Sequence, residues 1–505
     1  MKYLLGVDAG TTAFKAALFN EDKRLICVEQ RDYTLLTPSE NIVEFPAEEY
    51  WRIFCELIQA LLAQSGICAE QIVALAISSQ GETLFCLDSA GQPQGNGIVW
   101  LDNRAFLEAD QLRERFGRQA VYEKTGQADM TATWPAAKIL WLRKNRPQEF
   151  ARTHKFLLLE DYLLYRLTGR YVGEPNLWAS SAMLDIHTAR WWPEMLETLG
   201  LDAQRLPEIL PCGSAVGCVT ARAARETGLP PSVLVAMGAL DQTCNAIGCG
   251  MTRPGIVCCE TTGSCLAVSA VMDGFIPYDP DLPITCQNHA VAGRYTVLLW
   301  SQSAGMTLKW FAAKFYPDVP ELEAAFRRMD VEAERIPLGC AGLTMLPHLT
   351  GAAHPEYDAY ARGVFSGITL EHGRAHFARA IMEAVACMLR RNLECLPIDA
   401  RRIYCLGGGA NSKVWLQIKA DIAQREMQPV RARESACLGA AILAGVGAGI
   451  FESVDWVAED REKEAVFVPD FSLRPMADET YRRYIALYGA LQQMFRKNAR
   501  EMDAK

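Results

Sequence analysis

Several things are missing from this 505-residue chain, and each absence removes a class of function. No window holds 18 uninterrupted apolar residues, so the sequence predicts no membrane-spanning helix. There is no excess of positive charge: 51 Lys and Arg stand against 60 Asp and Glu, a net charge of −9. A protein that coats nucleic acid or anionic lipid needs a basic face, so neither partner is expected, although a phosphorylated ligand needs only a local anion site. No CxxC pair with zinc spacing occurs, and the seventeen cysteines are odd in number, which argues against a secreted disulfide scaffold. Cys55 and Cys405 lie inside apolar runs and read as buried reduced thiols. The first strand begins at Tyr3 without a basic, apolar, small-residue leader, and a cytoplasmic location is expected. Seven histidines show no metal spacing. His372 and His376 are four apart but lack the glutamate order of a zincin, and they read as capping or surface groups. Finally, no GxSxG elbow, no GxxxxGK[ST] loop and no GxGxxG loop is present, which excludes three common hydrolase and nucleotide signatures.

What remains is an ordinary globular balance, 50% apolar and 22% charged, long enough for two to four domains. The N-terminal 30 residues read as strand, tight turn, strand, strand: Leu4–Val7, the turn Asp8–Thr12, Phe14–Phe19, then Leu25–Val28. Pro46 opens a helix with Trp51, Phe54, Leu57, Ile58, Leu61 and Leu62 at three-and-four spacing. A buried-type strand at Ile72–Ile77 delivers Ser78 to Glu82 to its C-terminal end, where α/β proteins hold ligands. The second half repeats the scheme. Val233–Met237 leads into Gly238–Gln242, and Ile256–Cys259 leads through Glu260–Ser264 into Leu266–Val268. Strands alternating with helices predict an α/β fold of two similar domains, divided near residues 245–255.

Three segments can carry chemistry. Two turns, at residues 8–12 and 261–264, combine glycine with hydroxyls between strands, a composition that can aim N–H groups and Thr Oγ at phosphate oxygens. Asp8 on the first is placed as a carboxylate beside phosphate, a natural Mg²⁺ ligand. The third is Gly407-Gly408-Gly409-Ala410-Asn411 between the strand 403–406 and a helix from Ser412 through Ile422, a nucleotide-binding arrangement. Gly445 to Gly449 follows the apolar helix 438–444 and reads as its C-cap and loop. Asp241, after the strand 233–237, reads either as a base for a hydroxyl proton or as the cap of the helix that follows.

Together these residues resemble the FGGY carbohydrate kinases. The two turns resemble that family's phosphate turns. Trp134-Pro135-Ala136-Ala137-Lys138-Ile139-Leu140-Trp141 resembles one of its signatures, and Gly363–Ile368 with His376-Phe377 and Ala380–Glu383 another. Gly407–Ser412 with Trp415 and Asp421 resembles its adenine-side loop. The resemblance implies α/β architecture: two actin-like (ribonuclease H-like) ATPase domains around a central cleft, with residues 1–248 holding mainly sugar and 249–505 mainly ATP. It implies Asp241 as catalytic base, with Asp8 and Asp241 toward Mg²⁺. It places ATP against Gly10, Thr11, Thr12, Thr262, Gly263, Gly305, Lys309, Gly408, Gly409 and Ala410. The acceptor falls to Gln80, Glu82, Trp100, Asp241 and Gln242. Family members can be homo-oligomers, though no residue here carries that over. Gln80-Gly81-Glu82-Thr83 resembles the glycerol kinase loop, but Gly81 stands where an arginine is usual and Thr133 where a tyrosine is. The loss of both opens space. Leu346–Gly351 and Ala361–Phe365 look closer to xylulokinases. The expected reaction is ATP-dependent phosphorylation of a ketose, with a pentulose such as xylulose favoured. A polyol kinase of glycerol or erythritol type, or an actin-like ATPase without sugar, are the alternatives.

Overall fold

The computed structural model describes all residues except 40, 255–257, 283, 320, 359, 431–433, 457–464 and 504–505. Ile256 and Val257 of the expected strand, and Gly255 of the expected boundary, therefore lie outside the described residues.

Two sheets organise the molecule. The first runs in the order 215–218, 234–236, 72–79, 3–9, 13–20, 25–32. Its central strand Tyr3–Ala9 turns antiparallel into Ala13–Asn20 and lies parallel to Ile72–Ser79. The second sheet repeats this around Cys258–Thr262, antiparallel to Leu266–Met272 and parallel to Arg402–Leu406. In both, therefore, the turn of a hairpin ends beside the C-terminal end of a parallel strand.

The apolar runs that predicted buried strands are covered on both faces, as a central strand of an α/β sheet must be. Because side chains alternate, Leu5 and Val7 pack with Tyr50, Phe54 and Leu57 of the helix Ala47–Ser65. Leu4 faces the other way and packs with Cys437, Ala441 and Leu443 of the helix Ser435–Gly447. That second helix comes from the far end of the chain and crosses back to the first sheet. Backbone contact makes this possible: a Cβ on Gly6 would stand 1.8 Å from the carbonyl oxygen of Cys437, and one on Gly439 1.9 Å from that of Cys244.

The second core gathers Leu266, Val268 and Ala270 against the helix Arg374–Cys395, of which Ile381, Ala384, Val385, Met388 and Leu389 are buried and Phe377 partly so. His372 and His376 accept the backbone N–H groups of Thr369 and Gly373, so both are capping groups. Cys55, Cys244, Cys387 and Cys405 are buried free thiols. Among the described residues no helix is long and apolar enough to cross a membrane.

Candidate active site

Two cavities of similar size open at the strand ends, one of 540 Å3 and one of 550 Å3. The first is lined from the N-terminal half by Thr11, Gln80, Gly81, Glu82, Trp100, Thr133, Asp241 and Gln242. The second is lined by Thr262, Gly263, Gly305, Lys309, Gly408 and Gly409. The two cavities adjoin along one segment, with Ser264 lining the second and Cys265 the first. Thr11, expected on the nucleotide, faces the first cavity, where its Oγ1 accepts the indole N–H of Trp100 at 2.9 Å. Asp8, Gly10, Thr12 and Ala410 line neither cavity.

Asp241 is the first residue of the helix Asp241–Gly248, and its Oδ1 accepts the N–H of Gln242 at 2.6 Å. The segment that delivers it is pinned from behind. Glu160 accepts the N–H of Gly238 at 2.7 Å, and Asn176 Oδ1 accepts that of Leu240 at 3.1 Å. Burial pushes the Asp241 carboxyl up to about 7, and the charge of Asp8 adds to the shift. Asp8 is also raised by burial, against a 2.8 Å hydrogen bond from the Ser78 hydroxyl and the charge of Lys15. Gln80 is 2% exposed, and its Oε1 has no partner although it is buried. An unpaired buried acceptor in a cavity wall is a place for a ligand O–H. Glu82 follows it in the left-handed region at φ 54°, and burial raises its carboxyl against the charge of Lys138.

The second cavity is built on close backbone approach. A Cβ on Gly409 would lie 2.7 Å from Thr262 Cβ, so the three-glycine loop packs directly on the 261–264 turn. Thr262 is held in turn by an ion pair between Glu260 and Lys419 at 2.7 Å, both fully buried. Lys419 donates to Thr262 Oγ1 at 2.8 Å and Thr262 donates to Glu260 at 2.6 Å. The helix Gly305–Phe315 starts against the same turn, with Gly305 N–H bonded to the Gly263 carbonyl at 3.0 Å. Its positive end therefore points at a site suited to phosphate.

Several lining residues escaped the sequence reading. Tyr278, Gln287, Trp300 and Tyr357 bring a wall from the second half of the chain to the first cavity. Phe326, Asp330 and Trp415 line the second. Trp415 belongs to the adenine-side motif of the sequence, though it carried no assignment to the nucleotide there; the others carry no local motif.

A pocket with an acceptor amide and carboxylates, set beside a phosphate cradle, suits transfer of a phosphoryl group to an alcohol. This defines a phosphotransferase of two actin-like domains. Family models agree. The N-terminal domain model of the FGGY family of carbohydrate kinases matches residues 3–248, and the C-terminal domain model matches 282–448. A xylulose kinase of Bacillus subtilis is 29% identical over 470 residues, covering 92% of each chain. One of Lactococcus lactis is 29% identical over 512 residues, covering 100% of this chain and 98% of its own. The crystal structure of a xyloylose kinase from Brucella ovis superposes with a TM-score of 0.88 at 28% identity, covering 97% of this chain and 100% of its own. The chain belongs to the FGGY family of carbohydrate kinases, enzymes that phosphorylate a hydroxyl of a small-molecule sugar.

Proposed function

We propose that this kinase transfers the γ-phosphoryl of Mg-ATP to a hydroxyl of a ketose, with a pentulose such as xylulose as acceptor. The observation that carries the reading is the first cavity, where Asp241 and the unpaired Gln80 Oε1 share a 540 Å3 space with Glu82 and Trp100. Gly81 and Thr133 both line it, so the positions that an arginine and a tyrosine would narrow for glycerol stand open. The names of the relatives point the same way.

In this reading ATP occupies the second cavity, with phosphates on the 261–264 turn and the glycine loop. Residues 1–248 then serve mainly the sugar and 249–505 mainly ATP. Asp8 and Asp241 suit a divalent cation: both are hard oxygen donors, and both are raised by burial in a way that a cation would relieve. Bound there, Mg²⁺ supplies charge neutralisation to the phosphates. The protein supplies the rest. Asp241 orients the attacking hydroxyl and accepts its proton, while Gln80 and Glu82 fix the acceptor for in-line approach.

The test is ADP release with Mg-ATP across pentuloses, hexuloses, polyols, aldoses and sugar acids. Strong stimulation by a pentulose is expected. Stimulation by a polyol alone would move the reading to a polyol kinase, and steady hydrolysis indifferent to every acceptor would move it to an ATPase.

A further inference from the structure

Lys138 is fully buried, yet it lines neither cavity. It lies in the first turn of the helix Pro135–Asn145, the end where a positive charge opposes the macrodipole. Its acceptors are two backbone carbonyls, Glu82 O at 3.0 Å and Val99 O at 2.9 Å. Burial makes so placed a cation costly, so its charge alone gives no reason for a lysine here. The two carbonyls do, because they belong to the two loops that carry Gln80, Glu82 and Trp100. These loops are joined just beyond them by the pairing of Leu84 with Ile98. Glu82 is held in the left-handed region, which a non-glycine residue keeps only when its surroundings fix it.

We propose that Lys138 is a positioning residue for the sugar acceptor, its ammonium clamping the 80–82 and 99–100 loops so that Glu82 faces the cavity. The proposal rests on the sugar-site reading above. The charges of Glu82 and Asp102 support the ammonium, while burial and the Arg104 guanidinium oppose it and bring its pKa down to about 7. Asp102 is itself occupied, accepting from Val43 N–H and from Arg104, so it does not draw Lys138 away from the loops.

The test compares Lys138→Met and Lys138→Gln with the wild type, using D-xylulose and Mg-ATP. Lys138→Met is expected to raise the KM for D-xylulose about 10- to 100-fold, the scale of one or two lost charge-assisted hydrogen bonds, and to leave the KM for ATP unchanged. Lys138→Gln retains two N–H donors and should recover part of the loss. In a Glu82→Ala background, Lys138→Met should add nothing further to the KM for D-xylulose. Hydrogen exchange read by mass spectrometry should show faster exchange in peptides covering 80–84 and 98–102 but not 261–264. An unchanged KM for D-xylulose, an equal rise for both substrates, or additivity with Glu82→Ala would overturn the proposal. Failure of both variants to yield soluble protein would also overturn it, by assigning Lys138 to folding. If the wild type accepts neither D-xylulose nor another sugar, the functional reading falls, and the exchange data still decide whether Lys138 holds the two loops.

Discussion

Asp241 combines a first-turn helical position with a carboxyl raised to about 7, which suits a group that must take a proton near neutral pH. Asp241→Asn keeps the shape and the hydrogen bond to Gln242 N–H but removes the proton acceptor. It is expected to lower kcat by about 10²- to 10⁴-fold while sugar and ATP still bind, as measured by steady-state kinetics beside calorimetry. A variant with near-normal kcat would remove Asp241 from the base role. That such residues line a cavity was readable in the sequence because each follows a buried-type strand within a few positions. Gln80, Glu82 and Asp241 all sit just past a strand, where the α/β rule places ligands. Trp300, Gln287 and Tyr278 were not readable, because what brings this region to the first cavity is its packing on distant first-half segments, where Cys286 N–H meets the Gly126 carbonyl and Asn176 donates to the Asn288 carbonyl. Lys138 was visible within a motif, but its role depends on which carbonyls it meets, and spacing cannot show that.

Local pattern identifies a helix more easily than its neighbour. The segment 438–444 reads as a buried helix because it is apolar all round, and the structure extends it to Ser435–Gly447, so Gly445 to Gly447 form its last turn rather than the cap and loop expected, and the cap falls on Ala448. Nothing in its composition says that it covers the N-terminal sheet rather than the nearer one. The signal lies in glycines that have no conformational need for their identity. Gly439 stands inside the helix, where alanine would ordinarily gain up to about 1 kcal/mol from propensity. Against that, an added Cβ would lie 1.9 Å from the Cys244 carbonyl oxygen and 2.6 Å from its carbon, both rigid backbone atoms. Overpacking of this kind costs about 1–3 kcal/mol or more, so the clash wins. Gly439→Ala is expected to lower the urea midpoint by an amount worth about 1–2 kcal/mol. A variant as stable as the wild type would mean that the two helices separate without cost. The hairpin turns, by contrast, were readable, because glycine and threonine between two apolar runs fix both the turn and its polar cargo.

The two halves should also respond differently to acid, because the second buries three histidines whose effect outweighs that of its own raised carboxyls, Glu356 and Glu383, while the first buries a cluster of raised carboxyls. In the second half His289, His348 and His354 are each 2–3% exposed, and burial pushes each down to about 4. Arg294 adds to the shift at His289 and Asp455 opposes it, Asp358 opposes it at His348, and the Asn392 hydrogen bond opposes it at His354. Folded, these histidines stay neutral while an unfolded histidine protonates near 6.5, so between pH 6.5 and 4 the unfolded chain binds more protons. Stability is therefore lost as pH falls through this window, roughly 2 kcal/mol per histidine by pH 5. The first half buries Glu160, Asp161 and Glu174, and burial raises all three. Their sign is the reverse: the folded state binds the extra protons, so acidification from neutral pH stabilises that half. The two contributions oppose each other in any measurement of the whole chain, and a flat stability curve between pH 7 and 5 would conceal both. Hydrogen exchange resolved by peptide separates them. At pH 5 relative to pH 7, after correction for intrinsic exchange rates, peptides of the 285–358 region should lose protection while those of 155–178 gain it. His348→Asn, which cannot protonate, should be less sensitive to acid in the second half alone. A uniform change across both halves would show that the two sheets unfold as one unit, and that neither set of buried groups governs its own half.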